Sequence, residues 1–243
     1  MNRDLQLALE MADAADAITM RWFRSKELDV RTKSDRTPVS VADEETERMI
    51  RATLARERPG DGIIGEEFGV SGASQRRWIV DPVDATKNYI RGIPVFATLI
   101  ALEEEGAIVA GVVSAPAMAK RWWAARGAGA FCNGEAIRVS SIATIEEAYL
   151  SSYALTDPYL ALARRSKRAM AFSDFWAHML VAEGCLDIAV EPKLAPWDMA
   201  PLQIIVEEAG GRFTDTRGQA RHDGPNGLST NGLLHDAVLE MLR

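Results

Sequence analysis

The chain has 243 residues, 47% of them hydrophobic and 26% charged. That is the make-up of an ordinary globular protein, large enough for one big domain or for two halves around a shared core. Its formal net charge of −7 argues against a nucleic-acid surface, and its two separated cysteines, Cys132 and Cys185, form no zinc or redox motif.

From the N-terminus, the segment Met1 to Met20 carries acids throughout and lacks the basic, apolar and small-residue order of a signal peptide. No run approaches the length of a membrane span, so the cytoplasm is the expected compartment. Leu5, Ala8, Ala12, Ala15, Thr19 and Trp22 recur at three- and four-residue steps, which predicts a long amphipathic first helix with a packing role. Residues 30–39 are polar, include Lys33 and Pro38, and read as a loop or short hairpin. Lys33 is within conceivable reach of a phosphate, but a solvated loop lysine is the simpler reading. Ser40 opens a helix running to about Glu57. Ser40 and Asp43 have the spacing of a capping box, so Asp43 has a structural job as well as a candidate chemical one. A short Gly-Ile-Ile strand leads to Gly65-Glu66-Glu67. Sequence spacing does not decide which of the two acids faces inward.

The central stretch is Trp78 to Asn88. Trp78 to Val80 reads as a buried strand that Pro82 ends, because proline has no N–H for the ladder. Asp84 is a suitable N-cap for a short helix from Ala85 to Ile90, stopped at Gly92. Two carboxylates, Asp81 and Asp84, then stand at a strand end beside the free N–H groups of a helix start. Carboxylates suit a hard cation such as Mg²⁺, a helix start suits phosphate, and bound metal would reverse the local sign of this acidic chain. The pair points to metal-assisted phosphate chemistry, although a lone Asp-x-x-Asp is also a plain strand-to-helix turn.

Beyond it, residues 95–103, 107–114, 121–125 and 128–131, with the Asn133-Gly134 turn, predict an antiparallel meander. Residues 149–153 read as a strand and 158–165 as a helix. Residues 175–183 read as a helix capped by Ser173 or Asp174 and stopped by Gly184, and 186–190 as a buried strand ending at Glu191. Pro196 to Ala209 is a helix with proline at its start and Asp198 in its first turn, where an acid favours the dipole. A glycine-punctuated tail precedes a last helix over 233–242.

Gly65-Glu66-Glu67, Asp81-Pro82-Val83-Asp84-Ala85-Thr86, and Trp197-Asp198 opening a helix that ends Glu208-Ala209-Gly210-Gly211 occur in that order. With these signatures spread over nearly the whole chain, it resembles the inositol monophosphatase family of metal-dependent phosphatases. Residues 90–102, 174–184 and 229–236 resemble its histidinol-phosphatase branch. The resemblance implies a layered α-β-α-β-α sandwich of the sugar-phosphatase type, two sheets with helix pairs between and outside. It is one unit over 1–243, with a metal-site half (1–140) and a substrate half (141–243).

The resemblance further implies that Glu66, Asp81 and the Val83 carbonyl hold one Mg²⁺, and that Asp81, Asp84 and Asp198 hold a second. A third, weaker ion has room near Glu66. Asp43 and Thr86, with Glu66 beside the first ion, form the catalytic set that orients the attacking water. The N–H groups of Ala85 and Thr86 grip phosphate, and Glu191 meets the alcohol portion of the substrate. Asp174 and Glu191 together suit an amine and an imidazole, which fits histidinol phosphate. The family usually has glycine where this chain has Ala85; at the first turn of a right-handed helix alanine is acceptable, which predicts φ < 0 there. The implied partners are a small phosphorylated substrate and a second copy in a homodimer, with no nucleic acid and no membrane. The alternatives are an inositol, sugar or nucleotide phosphatase of the same family, and a non-catalytic metal- or partner-binding relic. A haloacid-dehalogenase-type phosphatase fits less well, because its acids are one residue apart and not two.

Overall fold

The structure is a computed structural model that describes residues 3–243; Met1 and Asn2, the start of the stretch read as lacking a signal peptide, lie outside the described residues. The first half is built from α1 (Arg3–Trp22), β1 (Val30–Thr32), β2 (Pro38–Ser40), α2 (Val41–Glu57), β3 (Gly62–Gly65), β4 (Gly69–Ser71), β5 (Arg76–Asp84) and α3 (Thr86–Ile90). The meander follows as β6 (Ala97–Glu104), β7 (Ala107–Ala115), β8 (Lys120–Ala125), β9 (Ala130–Cys132) and β10 (Glu135–Ile137). The rest is β11 (Tyr149–Ser151), α4 (Asp157–Arg165), β12 (Arg168–Met170), α5 (Asp174–Ala182), β13 (Ile188–Glu191), α6 (Pro196–Glu208), β14 (Arg212–Thr214), β15 (Gly227–Thr230) and α7 (His235–Met241).

Apart from the β1–β2 hairpin, these strands make an eight-stranded sheet, ordered β10-β9-β8-β7-β6-β5-β3-β4, and a five-stranded sheet, ordered β12-β11-β13-β15-β14. The parallel pairing of β3 with β5 sets Gly65 opposite Val80, so Glu66 follows beside Asp81, and the parallel pairing of β11 with β13 sets the end that carries Glu191 beside the end of β11. One apolar cluster joins α1 and α2 to one face of the large sheet through Leu5, Met11, Ile50, Trp78, Ile100 and Val112. A second joins α5 and α6 to its other face through Ile79, Leu99, Trp122, Phe175, Met199 and Ile205. A third covers the outer face of the small sheet with α4 and α7 through Leu150, Leu162, Ile188 and Val238. The result is the expected five-layer sandwich, α-β-α-β-α, with α5 and α6 as its middle layer.

Close approach makes this middle layer possible. A Cβ on Gly111 of β7 would stand 2.7 Å from Ile204 Cγ2 and 3.0 Å from Pro201 Cα, so glycine lets α6 lie against the sheet. Pro201 sits within α6 itself, a position the sequence reading did not single out.

Several local expectations need correcting. Pro82 does not end its strand: β5 runs to Asp84, and the ladder with β6 slips between Asp81 and Asp84. Pro82 sits in that irregular stretch, where its missing N–H costs no ladder bond, and its carbonyl accepts from the Thr98 hydroxyl at 2.8 Å. The N-cap of α3 is Ala85, not Asp84. Short strands β4, β12, β14 and β15 lie where no strand was expected.

Candidate metal and phosphate site

Asp81 and Asp84 leave the irregular end of β5, and Asp198 enters from the first turn of α6. One carboxylate oxygen from each lies within 4.8 Å of the others. Glu66, just past β3, is in hydrogen-bonding range of Asp81, and its N–H donates to the Val80 carbonyl at 3.2 Å. Four acids from three separate stretches of the chain therefore converge, and Asp81 stands among the other three.

Each acid is held by the backbone around it. Asp81 Oδ1 accepts the Val83 N–H at 2.9 Å. Asp84 Oδ2 accepts the Phe175 N–H, at the start of α5, at 2.8 Å. Asp198 Oδ2 accepts the Ala195 N–H at 2.8 Å, so the capping role and a place in the cluster coexist in one side chain. Glu66 is placed by Gly65 and Glu47. Glu47 accepts the Glu67 N–H at 2.7 Å and the Phe68 N–H at 3.2 Å, and passes where any Cβ on Gly65 would need to be, 2.0 Å from Glu47 Oε1. The two inward options for the paired acids now separate: Glu66 faces Asp81, while Glu67 turns to Lys33.

Lys33 is not a solvated loop lysine. Its Nζ donates to Glu66 Oε1 at 2.8 Å and to Glu67 Oε1 at 2.7 Å. Burial alone would lower its pKa, but these two carboxylates raise it. No lysine or arginine among the described residues is ion-paired with Asp81, Asp84 or Asp198. Burial first, then Glu66, Asp84 and Asp198, push the Asp81 carboxyl well above its ordinary range. Burial first, then Asp174 and Asp198, do the same to Asp84. Burial lifts Asp198 to about 6. A cluster of desolvated like charges with no protein cation among three of its members is an all-oxygen donor set for a hard divalent ion, so the residues fit Mg²⁺.

Beside the cluster, Asp43 is buried. Its Oδ2 accepts the Ser40 N–H at 2.8 Å and the Ser40 hydroxyl at 2.6 Å, completing the capping box. Its Oδ1 faces the Thr86 hydroxyl at 3.5 Å, while that hydroxyl's nearer acceptor is the Val83 carbonyl at 3.0 Å. Burial lifts Asp43 to about 6.

The expectation at Ala85 is wrong. Ala85 is left-handed, with φ 64° and ψ 42°. The chain must turn from the last residue of β5 into α3 at a single residue, and the Ala85 carbonyl must accept from the Asn88 and Tyr89 N–H groups at 2.8 and 3.1 Å. The positive φ costs alanine about 1–2 kcal/mol. The Ala85 N–H donates to the Asp84 carboxylate.

On the far side of the cluster, Glu191 ends β13 and is only 2% exposed. It accepts the Asp174 N–H at 3.1 Å and hydrogen-bonds the Tyr153 hydroxyl. Burial first, then Asp174, lift it to about 8. The cap of α5 is Ser173, not Asp174; Asp174 is itself left-handed, φ 59°, and accepts the Ser173 hydroxyl at 2.6 Å. Sequence reasoning missed the roles of Tyr153 and the Phe175 N–H. No pattern marks a backbone donor, and Tyr153 reads locally as the end of a strand.

A family profile described as the inositol monophosphatase family matches residues 2–240. The histidinol-phosphatase of Mycobacterium tuberculosis is 49% identical, over 98% of this chain and 97% of that protein. That of Chlorobaculum parvum is 40% identical, over 96% and 94%. Among solved structures, an inositol monophosphatase of Thermotoga maritima superposes with a TM-score of 0.90 at 34% identity, covering 99% of this chain and 97% of that one. With its fold, its acid cluster and nearly its whole length in agreement, this chain belongs to the inositol monophosphatase family, resembles the histidinol-phosphatases within it, and is a phosphoric monoester hydrolase.

Proposed function

We propose that the protein hydrolyses L-histidinol phosphate to L-histidinol and inorganic phosphate, as a Mg²⁺-dependent step of histidine biosynthesis in the cytoplasm. The observation that carries the substrate is Glu191: a carboxyl buried at the edge of the acid cluster with no lysine or arginine ion-paired to it among the described residues. A buried acid without a cation is costly, and a cationic ligand relieves that cost. The amine and imidazole of histidinol supply one. Asp174, whose charge bears on both Glu191 and Asp84, extends this acidic wall.

Glu66, Asp81, Asp84, Asp198 and the Val83 carbonyl would hold Mg²⁺, as two ions or three. When bound, the metal supplies Lewis-acid charge stabilisation and lowers the pKa of water. The remaining work falls to the chain. Asp43, ionised above pH about 6, and the Thr86 hydroxyl orient the attacking water. The Thr86 N–H, at the start of α3, would face the phosphate oxygens, while the Ala85 N–H is taken by Asp84, and Asp84 places the water that returns a proton to the leaving alcohol. Residues 1–140 then carry most of the hydrolytic groups and 141–243 the alcohol side, with Asp198 crossing between them. We extend the reading to a homodimer, which sedimentation would test.

A substrate panel with Mg²⁺ tests the proposal. Histidinol phosphate should exceed inositol, sugar and nucleotide monophosphates in kcat/KM, and excess EDTA should silence the enzyme reversibly. A preference for inositol 1-phosphate would move the substrate within the family. Hydrolysis of no monoester at all would leave only a binding role.

A further inference from the structure

Segment 152–156 joins β11 to α4 and carries two large exposed side chains, Tyr153 and Leu155, of which Tyr153 faces the site. Tyr153 is 43% exposed, yet its hydroxyl is tied to Glu191, which is almost wholly buried. The parallel pairing of Leu150 and Ser151 with Ile188 and Ala189 sets the two strand ends side by side, so Tyr153 and Glu191 emerge at the same edge. Ser151 Oγ donates to the Phe172 carbonyl at 2.9 Å, which fixes the approach of the segment that bears Asp174. Asp174 in turn gives its N–H to the same Glu191 carboxyl. Glu191 is thus gripped from two sides, by a backbone donor and by a phenol.

We propose that Tyr153 is a specificity-determining residue: its exposed ring is the flat wall against which the cationic nitrogen ring of the substrate alcohol lies, and its hydroxyl aims Glu191 at that ring. This rests on the histidinol phosphate reading. A tyrosine face attracts a planar cation, and a carboxylate at the rim of the same face adds charge where the ring nitrogens lie. The phenol is close enough to the site to feel Asp198 as well as Glu191 and Asp174. Burial first, and then these acids, keep it protonated, so it donates at every working pH. A phosphomonoester whose alcohol is small and neutral gains nothing from either group.

The test compares Tyr153→Phe, which keeps the ring, with Tyr153→Leu, which loses it, on histidinol phosphate and on glycerol 2-phosphate with saturating Mg²⁺. For Tyr153→Leu, KM for histidinol phosphate should rise about tenfold with kcat within about threefold, and KM for glycerol 2-phosphate should not move. Tyr153→Phe should fall between, with KM up about threefold from the lost hydroxyl. Inhibition by the product histidinol should weaken in parallel, while inhibition by inorganic phosphate stays constant. If the wild type prefers histidinol phosphate and Tyr153→Leu keeps that preference, this proposal is overturned and the function stands. A wild type with no preference overturns both. Equal losses on both substrates, with a lower melting temperature, would make Tyr153 a structural residue and also overturn it.

Discussion

The Phe175 N–H donates to Asp84 Oδ2 at 2.8 Å, a bond between residues 91 positions apart. It ties the start of a helix in the middle layer to the end of a strand in the large sheet. One carboxylate therefore closes the chain's two halves together and joins the acid cluster. Asp84→Asn keeps an acceptor for that N–H, whereas Asp84→Ala leaves the donor without one. Both should lose turnover by about 10²–10³. Asp84→Ala should also melt lower than Asp84→Asn, by the equivalent of about 1–3 kcal/mol. Equal melting temperatures in a thermal scan would deny the clamp.

Ala85 holds a left-handed backbone that glycine adopts freely. Ala85→Gly removes about 1–2 kcal/mol of strain and returns about 0.4–1 kcal/mol to the unfolded chain as entropy. The net should be a melting temperature higher by about 1–3 °C, with turnover retained. A fall in melting temperature would show that the surroundings already absorb the strain.

Gly65→Ala is the opposite case. Its new Cβ would meet Glu47 Oε1 at 2.0 Å, so Glu47 must move and release the Glu67 and Phe68 N–H groups. Glu66 then loses its placement. The variant should be destabilised by about 2–4 kcal/mol and should need more Mg²⁺ for half-maximal activity. Denaturant unfolding and a Mg²⁺ titration check the two parts separately.

The acids also make the metal-free protein sensitive to pH. Burial raises Asp43 and Asp198 to about 6, Glu67 to about 7 and Glu191 to about 8. Folded-state values above unfolded ones mean stability that is fully present below the ordinary carboxyl range, about pH 4, and is lost as pH rises from there to about 6 for Asp43 and Asp198, about 7 for Glu67 and about 8 for Glu191. His178 and His235, lowered by burial to about 3 and about 4, act in the other direction, costing stability as pH falls below about 6.5. With EDTA, the melting temperature should therefore fall between pH 6 and pH 8, and Mg²⁺ should raise it more at pH 8. A Mg²⁺ shift independent of pH would contradict this account of the cluster.

Much of this was legible before any coordinates. The helices over 3–22, 41–57 and 196–208 follow from apolar periodicity and caps, and the meander from alternation and the Asn133-Gly134 turn. The acids announce themselves by local spacing, but their convergence does not. Nothing in residues 66, 81, 84 and 198 says that a five-layer sandwich will bring them together, and only the family resemblance implied it. Ala85 misled because its side chain suits a helix, while the backbone is bent by the strand before it. Lys33 misled because a lysine among polar residues looks solvated until its partners, 33 and 34 positions away, are known. The short strands β4, β12, β14 and β15 were invisible because three or four residues carry too little pattern.

The middle layer has a consequence for how such an enzyme can change. Asp198 rides on a helix pressed between two sheets, where Gly111 leaves no slack and Pro201 is walled in. Tyr153 sits on the connection that follows β11, at the rim of the smaller sheet, where substitutions disturb little else. On the proposed function, hydrolysis rests on the pressed layer, while the Tyr153 part of the choice of alcohol rests on the rim. A descendant of this chain can acquire a new leaving group by altering the rim, and keep its phosphate chemistry untouched.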